Sequence, residues 1–239
     1  MRWPAACLAF AVALGTGSPA IAQAGQCRVP DVLPAPRAEG PTPREPARRM
    51  AVTRYTLALS WQPEYCRFRA ASENAGDRIQ CAANAGTRGF TLHGLWPDGD
   101  TGWPQYCAPA AILPKAVIQE NFCATPSVQL LQHEWAKHGT CVATDPARYF
   151  RAARRMFGAV RIPDMIALSR AQPTIGEFAL AFAAANPGLT EDMILVQTNR
   201  RGWLSEVHLC LARDLKPERC PIPMTAADRA RPIAIWRGG

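Results

Sequence analysis

Gln132-His133-Glu134-Trp135-Ala136-Lys137-His138-Gly139-Thr140-Cys141 packs four proton-handling side chains into six positions, a density repeated nowhere else in the 239-residue chain. Gly139 is a natural helix stop, so the stretch predicts a helix that ends there. At about 100° per residue, His133, Lys137, Glu134 and His138 fall within an arc of roughly 140°. The neighbouring arc takes Val128, Leu131 and Trp135, an apolar stripe at three- and four-residue spacing that anchors such a helix to a core. The expected result is a chemically dense face on a rigid element.

Working outward, Tyr55 to Trp61 alternates and is bounded by Pro63, which predicts a strand. Gly89-Phe90-Thr91-Leu92-His93-Gly94-Leu95-Trp96-Pro97-Asp98 reads as a short strand carrying Phe90 and Leu92 that runs into a Gly/Pro/Asp turn, with His93 at the junction. Pro114 to Phe122 is expected as a short helix. Asp145-Pro146 offers an N-cap with proline at the first helical position, and Tyr149, Phe150, Ala153, Met156 and Phe157 lie on one side of the helix it starts. Thr174 with Glu177 forms a capping box for a further helix that stops at Asn186-Pro187-Gly188. Met193–Thr198 and Leu204–Leu211 flank Asn199-Arg200-Arg201-Gly202, a hairpin with glycine where positive φ is wanted. The folded domain is expected over residues 51–239.

Residues 1–24 have the pattern of a secretory signal peptide: Arg2, an apolar run from Ala5 to Leu14, and small residues around 20–24 as the cleavage region. Residues 25–50 hold six prolines between Arg28 and Arg49 and no apolar periodicity, which predicts an extended, disordered linker. Without Cys7 of the leader, eight cysteines remain and none forms a Cys-x-x-Cys pair, so four disulfides in an oxidising compartment are expected in place of a zinc ribbon or redox motif. A secreted or periplasmic location follows. The net charge of +8 rests almost wholly on arginine, for Lys115, Lys137 and Lys216 are the only lysines. A basic surface suits a polyanionic partner.

Metal hydrolysis needs the two histidines of His-Glu-x-x-His four apart on one helix face. Here His133 and His138 are five apart, and Lys137 places an ammonium beside any cation. No metal or cofactor is expected. Every mature cysteine has a plausible disulfide partner, and no Gly-x-Ser-x-Gly elbow exists for a serine nucleophile. General acid–base chemistry remains. It suits RNA, whose 2′-hydroxyl is a built-in nucleophile: the enzyme need only deprotonate it, protonate the leaving 5′-oxygen and stabilise the charged phosphorane. On this reading Lys137 and His133 hold the non-bridging oxygens, while Glu134, four residues before His138, orients that imidazole.

Phe90-Thr91-Leu92-His93-Gly94-Leu95-Trp96-Pro97 and His133-Glu134-Trp135-Ala136-Lys137-His138-Gly139-Thr140-Cys141 resemble the two active-site segments of the ribonuclease T2 family. Leu57 to Trp61 with Tyr65-Cys66 resembles its first strand, and Cys210 to Cys220 its terminal disulfide hairpin, so the likeness runs from about Tyr55 to Pro221. It implies an α+β fold, with a central antiparallel sheet flanked by helices in one disulfide-bonded domain. It also implies metal-independent cleavage of single-stranded RNA to 2′,3′-cyclic phosphates, with further hydrolysis to 3′-phosphates, by a monomer that takes neither DNA nor membrane as partner. By motif, His93 and His138 are the acid–base pair, Glu134 and Lys137 assist at the transition state, His133 binds phosphate, and Trp96 and Asp98 hold a base. Trp103 and Tyr106 are alternatives for a third base-site aromatic. The resemblance pairs Cys107 with Cys141 and Cys210 with Cys220; Cys66 with Cys81 fits by proximity, which leaves Cys27 with Cys123. Two departures bear on base contacts: Gln62 stands between Trp61 and Pro63, and Leu130-Leu131-Gln132 precede the second motif where the family carries aromatics. A catalytically silent RNA-binding protein is the alternative, but this chain keeps every proton-transfer residue. His208 is read as structural, Trp135 as core, and the Arg148–Arg155 helix face as solvated surface.

Overall fold

The computed structural model describes residues 27–82 and 89–238. The leader expected over residues 1–24 lies outside the described residues. Four antiparallel strands form one sheet in the order β2-β1-β4-β3: β1 is Arg54–Trp61, β2 Phe90–Asp98, β3 Ile194–Thr198 and β4 Leu204–Ala212. Around it lie helices α1 (Gln62–Cys66), α2 (Ala75–Gln80), α3 (Lys115–Asn121), α4 (Val128–Lys137), α5 (Pro146–Ala159), α6 (Met165–Ala171), α7 (Ile175–Ala185) and α8 (Ala226–Ala230).

The period-two alternation of β1 decides which face of the sheet is dry. Leu57, Leu59 and Trp61 pair with Leu95, Leu92 and Phe90 on β2, and the two leucines with Leu209 and Val207 on β4, so one face is continuous apolar surface. It packs on Leu131 and Trp135 of α4, Phe150 and Ala153 of α5, and Phe178 and Phe182 of α7. Each of the leucine and phenylalanine side chains contributes about 1.5–3 kcal/mol by leaving water. The other face carries Thr56, Ala58 and Ser60 of β1 beside Asp98, Trp96 and Gly94 of β2 and His208 and Glu206 of β4. That polar face is where the chemistry gathers.

The caps work as the residues dictate. Asp145 accepts from Ala147 N at the start of α5, and Thr174 and Glu177 close a capping box on α7. Four disulfides join Cys27 to Cys123, Cys66 to Cys81, Cys107 to Cys141 and Cys210 to Cys220.

Two expectations need correction, at His93 and in the linker, and the segment between Cys66 and Cys81 carries a helix of its own. The strand after Gly89 does not turn at His93 but continues to Asp98, because Ala58 pairs with Gly94 and Leu59 with Leu92, leaving His93 as the extra residue of a β-bulge. The Cys66–Cys81 loop holds helix α2, capped by Asn74, whose side chain accepts from Gly76 N and Asp77 N. The linker expected over residues 25–50 is pinned along the domain wherever it is described. Its prolines deny it strand or helix, yet Cys27 is bridged, Arg37 and Gln129 exchange hydrogen bonds, and Arg48 forms an isolated bridge with Gln105. Side chains and one disulfide hold it where a ladder does not.

Candidate active site

Helix α4 ends as its sequence requires: Ser127 caps it, Lys137 is its last residue, and a 3-10 turn follows at Gly139–Cys141. Val128, Leu131 and Trp135 are buried in the core, which turns Glu134 and His138 toward β2. Gly94 makes that approach possible. A Cβ there would lie 1.8 Å from Glu134 Oε2, so only glycine lets the carboxylate reach the strand.

The bulge re-aims His93 onto the same polar face. Its ring meets Trp96 edge-on at 5.0 Å, and Trp96 in turn stacks on His138 at 5.7 Å between centroids. The indole Nε1 donates to Glu134 Oε2 (3.0 Å), and Tyr149 Oη donates to the Leu95 carbonyl oxygen (3.1 Å) while lying 3.5 Å from the same Glu134 oxygen. Glu134 Oε1 lies 3.7 Å from His93 Nε2 and has no hydrogen-bond partner. His93, Trp96, Glu134 and His138 therefore form one cluster, as their motifs imply.

The two histidines differ in support. His93 Nδ1 is 2.6 Å from Glu206 Oε1; the other oxygen of Glu206 is 2.8 Å from His208 Nε2, and Ser60 Oγ donates to Glu206 Oε1 at 2.9 Å. Burial opposes a charged His93, but the hydrogen bond to Glu206 and the charges of Glu134 and Glu206 outweigh it and raise its pKa. Burial likewise opposes a charged Glu206, yet its hydrogen bonds to His208 and His93 hold its pKa far below the usual carboxylate range. His138 has no such partner. Its Nδ1 is buried and unpaired, and burial together with the nearby positive charges of Lys137, His133 and His93 pushes its pKa down to about 3. Burial raises the pKa of Glu134 in spite of those same cations.

Glu134 thus faces His93 rather than orienting His138. His138 follows the last helical residue with its backbone N–H still bonded to the Glu134 carbonyl oxygen, but its ring stacks on Trp96 and makes no hydrogen bond to the Glu134 carboxylate. His208, read as structural, meets Trp96 edge-on at 5.2 Å and shares the carboxylate of His93. Nothing in the local sequence marked Glu206 or Ser60; only the strand register brings them to His93. The alternating Glu206 and His208, facing Ser60 and Ala58 across β1, were the available signal.

His133 and Lys137 stand on the outer side of α4, and each already holds a carboxylate. Glu39 Oε2 is 2.7 Å from His133 Nδ1, and Lys137 Nζ donates to Glu45 Oε1 at 2.8 Å. Asp98 Oδ2 accepts from Thr56 Oγ1 at 2.7 Å. Of the two aromatic alternatives, Tyr106 is buried with its hydroxyl on Glu45, while Trp103 is half-exposed under the guanidinium of Arg48. The two departures before the motifs serve as internal braces: Gln62 accepts from Thr91 Oγ1, and Gln132 accepts from Leu113 N. Beyond Ser60 and Glu206 the face opens into a groove of about 630 Å³ lined by Tyr65, Phe68, Arg69, Arg200 and Arg201. Among the described residues no group of three or more His, Cys, Asp or Glu is arranged to hold a metal ion. No described helix is long and apolar enough to cross a membrane.

The α+β domain thus brings two histidines and a buried carboxylate together from one bulged strand and one helix end. Residues 52–220 match the Ribonuclease T2 family, and the chain belongs to that family as an endoribonuclease. It is 34% identical over 168 residues to a ribonuclease of Aeromonas hydrophila, a match covering 67% of this chain and 72% of the relative. Its fold is similar to trichomaglin, an S-like ribonuclease, with a TM-score of 0.59 and 17% identity over 77% of this chain and 97% of the other. RNase NT in complex with 5′-AMP shares the fold at a TM-score of 0.51 and 23% identity, over 78% and 98% of the two chains.

Proposed function

We propose that this protein is a secreted or periplasmic endoribonuclease that cleaves single-stranded RNA by metal-independent transphosphorylation. The observation that carries the reading is the unequal support of two histidines around one indole, because such inequality assigns opposite proton states to two like groups. His138, neutral through burial and nearby cations, takes the proton of the 2′-hydroxyl. That oxygen attacks the phosphorus, the P–O5′ bond breaks, and protonated His93 delivers its Nε2 proton to the departing 5′-oxygen. The products are a 2′,3′-cyclic phosphate and a free 5′-hydroxyl. Running the proton transfers in reverse with water hydrolyses the ring to a 3′-phosphate.

Lys137 and His133 stand where they can take the non-bridging oxygens, and Glu134 balances the charge of His93 as the phosphorane forms. RNase NT is described with 5′-AMP bound, which supports a nucleotide at this face. Trp96 and Asp98 are the proposed base contacts. The groove beside Glu206 supplies arginines and aromatics for continuing single strand, since stacking holds an unpaired base whatever its identity. A chain carrying a leader and four disulfides suits an oxidising compartment.

The test is digestion of a defined RNA with mass analysis of the ends. Cyclic phosphate termini, resistance of a 2′-deoxy linkage and indifference to chelator are expected. Cleavage of the 2′-deoxy linkage, or loss of activity with chelator, overturns the mechanism.

A further inference from the structure

We propose that Glu206 is a positioning residue for His93: it holds the Nδ1 proton, so that Nε2 carries the proton delivered to the leaving group. This rests on the function proposed above and adds a residue that neither motif contains. The geometry is over-determined. Glu206 lies on a strand paired on both sides, and its two oxygens meet His93 Nδ1 (2.6 Å), Ser60 Oγ (2.9 Å) and His208 Nε2 (2.8 Å). A carboxylate held by three groups has one rotamer available, and the imidazole bonded to it has one tautomer. The opposite nitrogen, Nε2, is the one that faces the cluster, 3.7 Å from the unpartnered oxygen of Glu134.

The charged and titratable groups acting on His93 come from two elements. Strand β4 supplies Glu206 and His208; helix α4 supplies Glu134, Lys137 and His138. Burial and Lys137 disfavour the imidazolium, and Glu206 and Glu134 favour it. Removing the charge of Glu206 while keeping its shape shifts that balance toward the neutral ring.

Glu206→Gln, Glu206→Asp and the parent are compared by NMR titration of the His93 imidazole and by kcat and KM on a dinucleotide. In E206Q the His93 midpoint is expected to fall by about one pH unit or more, with kcat roughly 10²-fold lower, KM within about threefold of the parent, and the alkaline limb of the rate profile moved to lower pH. E206D restores part of both. A midpoint that does not move overturns the proposal, whatever happens to turnover. Should E206Q fail to fold, Ser60→Ala removes a competing donor from the same oxygen and is expected to raise the midpoint; no shift there counts against the proposal equally. Titration needs no substrate, so a parent that fails to cleave RNA would defeat the functional reading separately.

The N-terminal segment carries an independent observation. Both side chains assigned to phosphate are capped by carboxylates from one stretch of chain: Glu39 on His133 and Glu45 on Lys137. That stretch is tied at one end by Cys27–Cys123 and at the other by the Arg48–Gln105 bridge. We infer that residues 27–50 form an autoinhibitory strap whose two carboxylates stand in for phosphate oxygens until RNA displaces them.

Inorganic phosphate is the probe. In the full-length Glu39→Gln/Glu45→Gln protein, calorimetric phosphate affinity is expected to tighten at least about threefold, and Lys137→Met added to the pair is expected to abolish the gain. Unchanged or weaker phosphate binding in the double variant, or a gain that survives K137M, overturns the strap. Phosphate binding is read without turnover, so this outcome also stands apart from the ribonuclease reading.

Discussion

The sheet side and the helix side of the site both set carboxylates against imidazoles, but the backbones behind them differ. Glu206 stands on β4, with ladders to β1 and β3, and its carboxylate meets three groups at once. Glu39 and Glu45 stand on a segment with no ladder of its own, and Glu45 is 46% exposed. The difference teaches what each carboxylate can do. On the proposals above, one that cannot leave aims a ring, and one that can leave competes with substrate for its partner.

The strongest way to break the comparison is to remove the rings. His93→Ala and His138→Ala are each expected to cost at least about 10²-fold in kcat/KM on RNA, with unchanged circular dichroism. Near-parental turnover in either would end the two-histidine account. The pH profile sharpens it: on the proposed mechanism, activity needs His138 neutral and His93 protonated. The rate should therefore rise as pH climbs through about 3, the value to which burial and neighbouring cations bring His138. It should fall as pH climbs through the raised pKa of His93, above its ordinary 6.5. The same raised value makes the His93–Glu206 contact a stabilising one below the unfolded pKa, lost as pH rises through the folded value.

Next in size is the tether of the strap. Cys27–Cys123 spans 96 residues, and restricting so long a loop in the unfolded chain is worth about 3–5 kcal/mol. Cys27→Ser/Cys123→Ser is expected to lower the urea midpoint accordingly. A midpoint that stays put would mean the strap is held by its side chains alone. Smaller again is Gly94→Ala, which drives a Cβ into Glu134 and should cost about 1–3 kcal/mol of stability, together with activity. If G94A folds and turns over like the parent, Glu134 is not held against the strand as described.

Much of this site was legible because its signals are local. The spacing of Val128, Leu131 and Trp135 reveals α4, and Gly139 its end. Side-chain alternation likewise reveals β1. What escaped was long-range. His93 in a bulge, Glu206 beneath it and His208 beside Trp96 depend on how β1 registers with β2 and β4, and no residue near them states that register. The strap escaped for a different reason: proline-rich polar chain has the composition of disorder, and what orders it is a disulfide partner 96 residues away and two side chains, His133 and Lys137, on a distant helix.

The smallest effect is also the most discriminating. The Glu39 and Glu45 pairs are part-buried but stand at the edge of the domain on a segment without a ladder, and ion pairs that solvent still screens contribute on the order of 1 kcal/mol or less, since ordering long side chains costs entropy. Glu39→Gln/Glu45→Gln should thus leave the urea midpoint almost unmoved, while Glu206→Gln, which strips the anion from between two imidazoles on a paired strand, should lower it measurably. Equal losses in the two variants would erase the distinction between a fixed carboxylate and a displaceable one. A larger loss from the strap would reverse it, making residues 27–50 part of the folded foundation and leaving Lys137 and His133 as structural partners of Glu45 and Glu39 with no phosphate to hold.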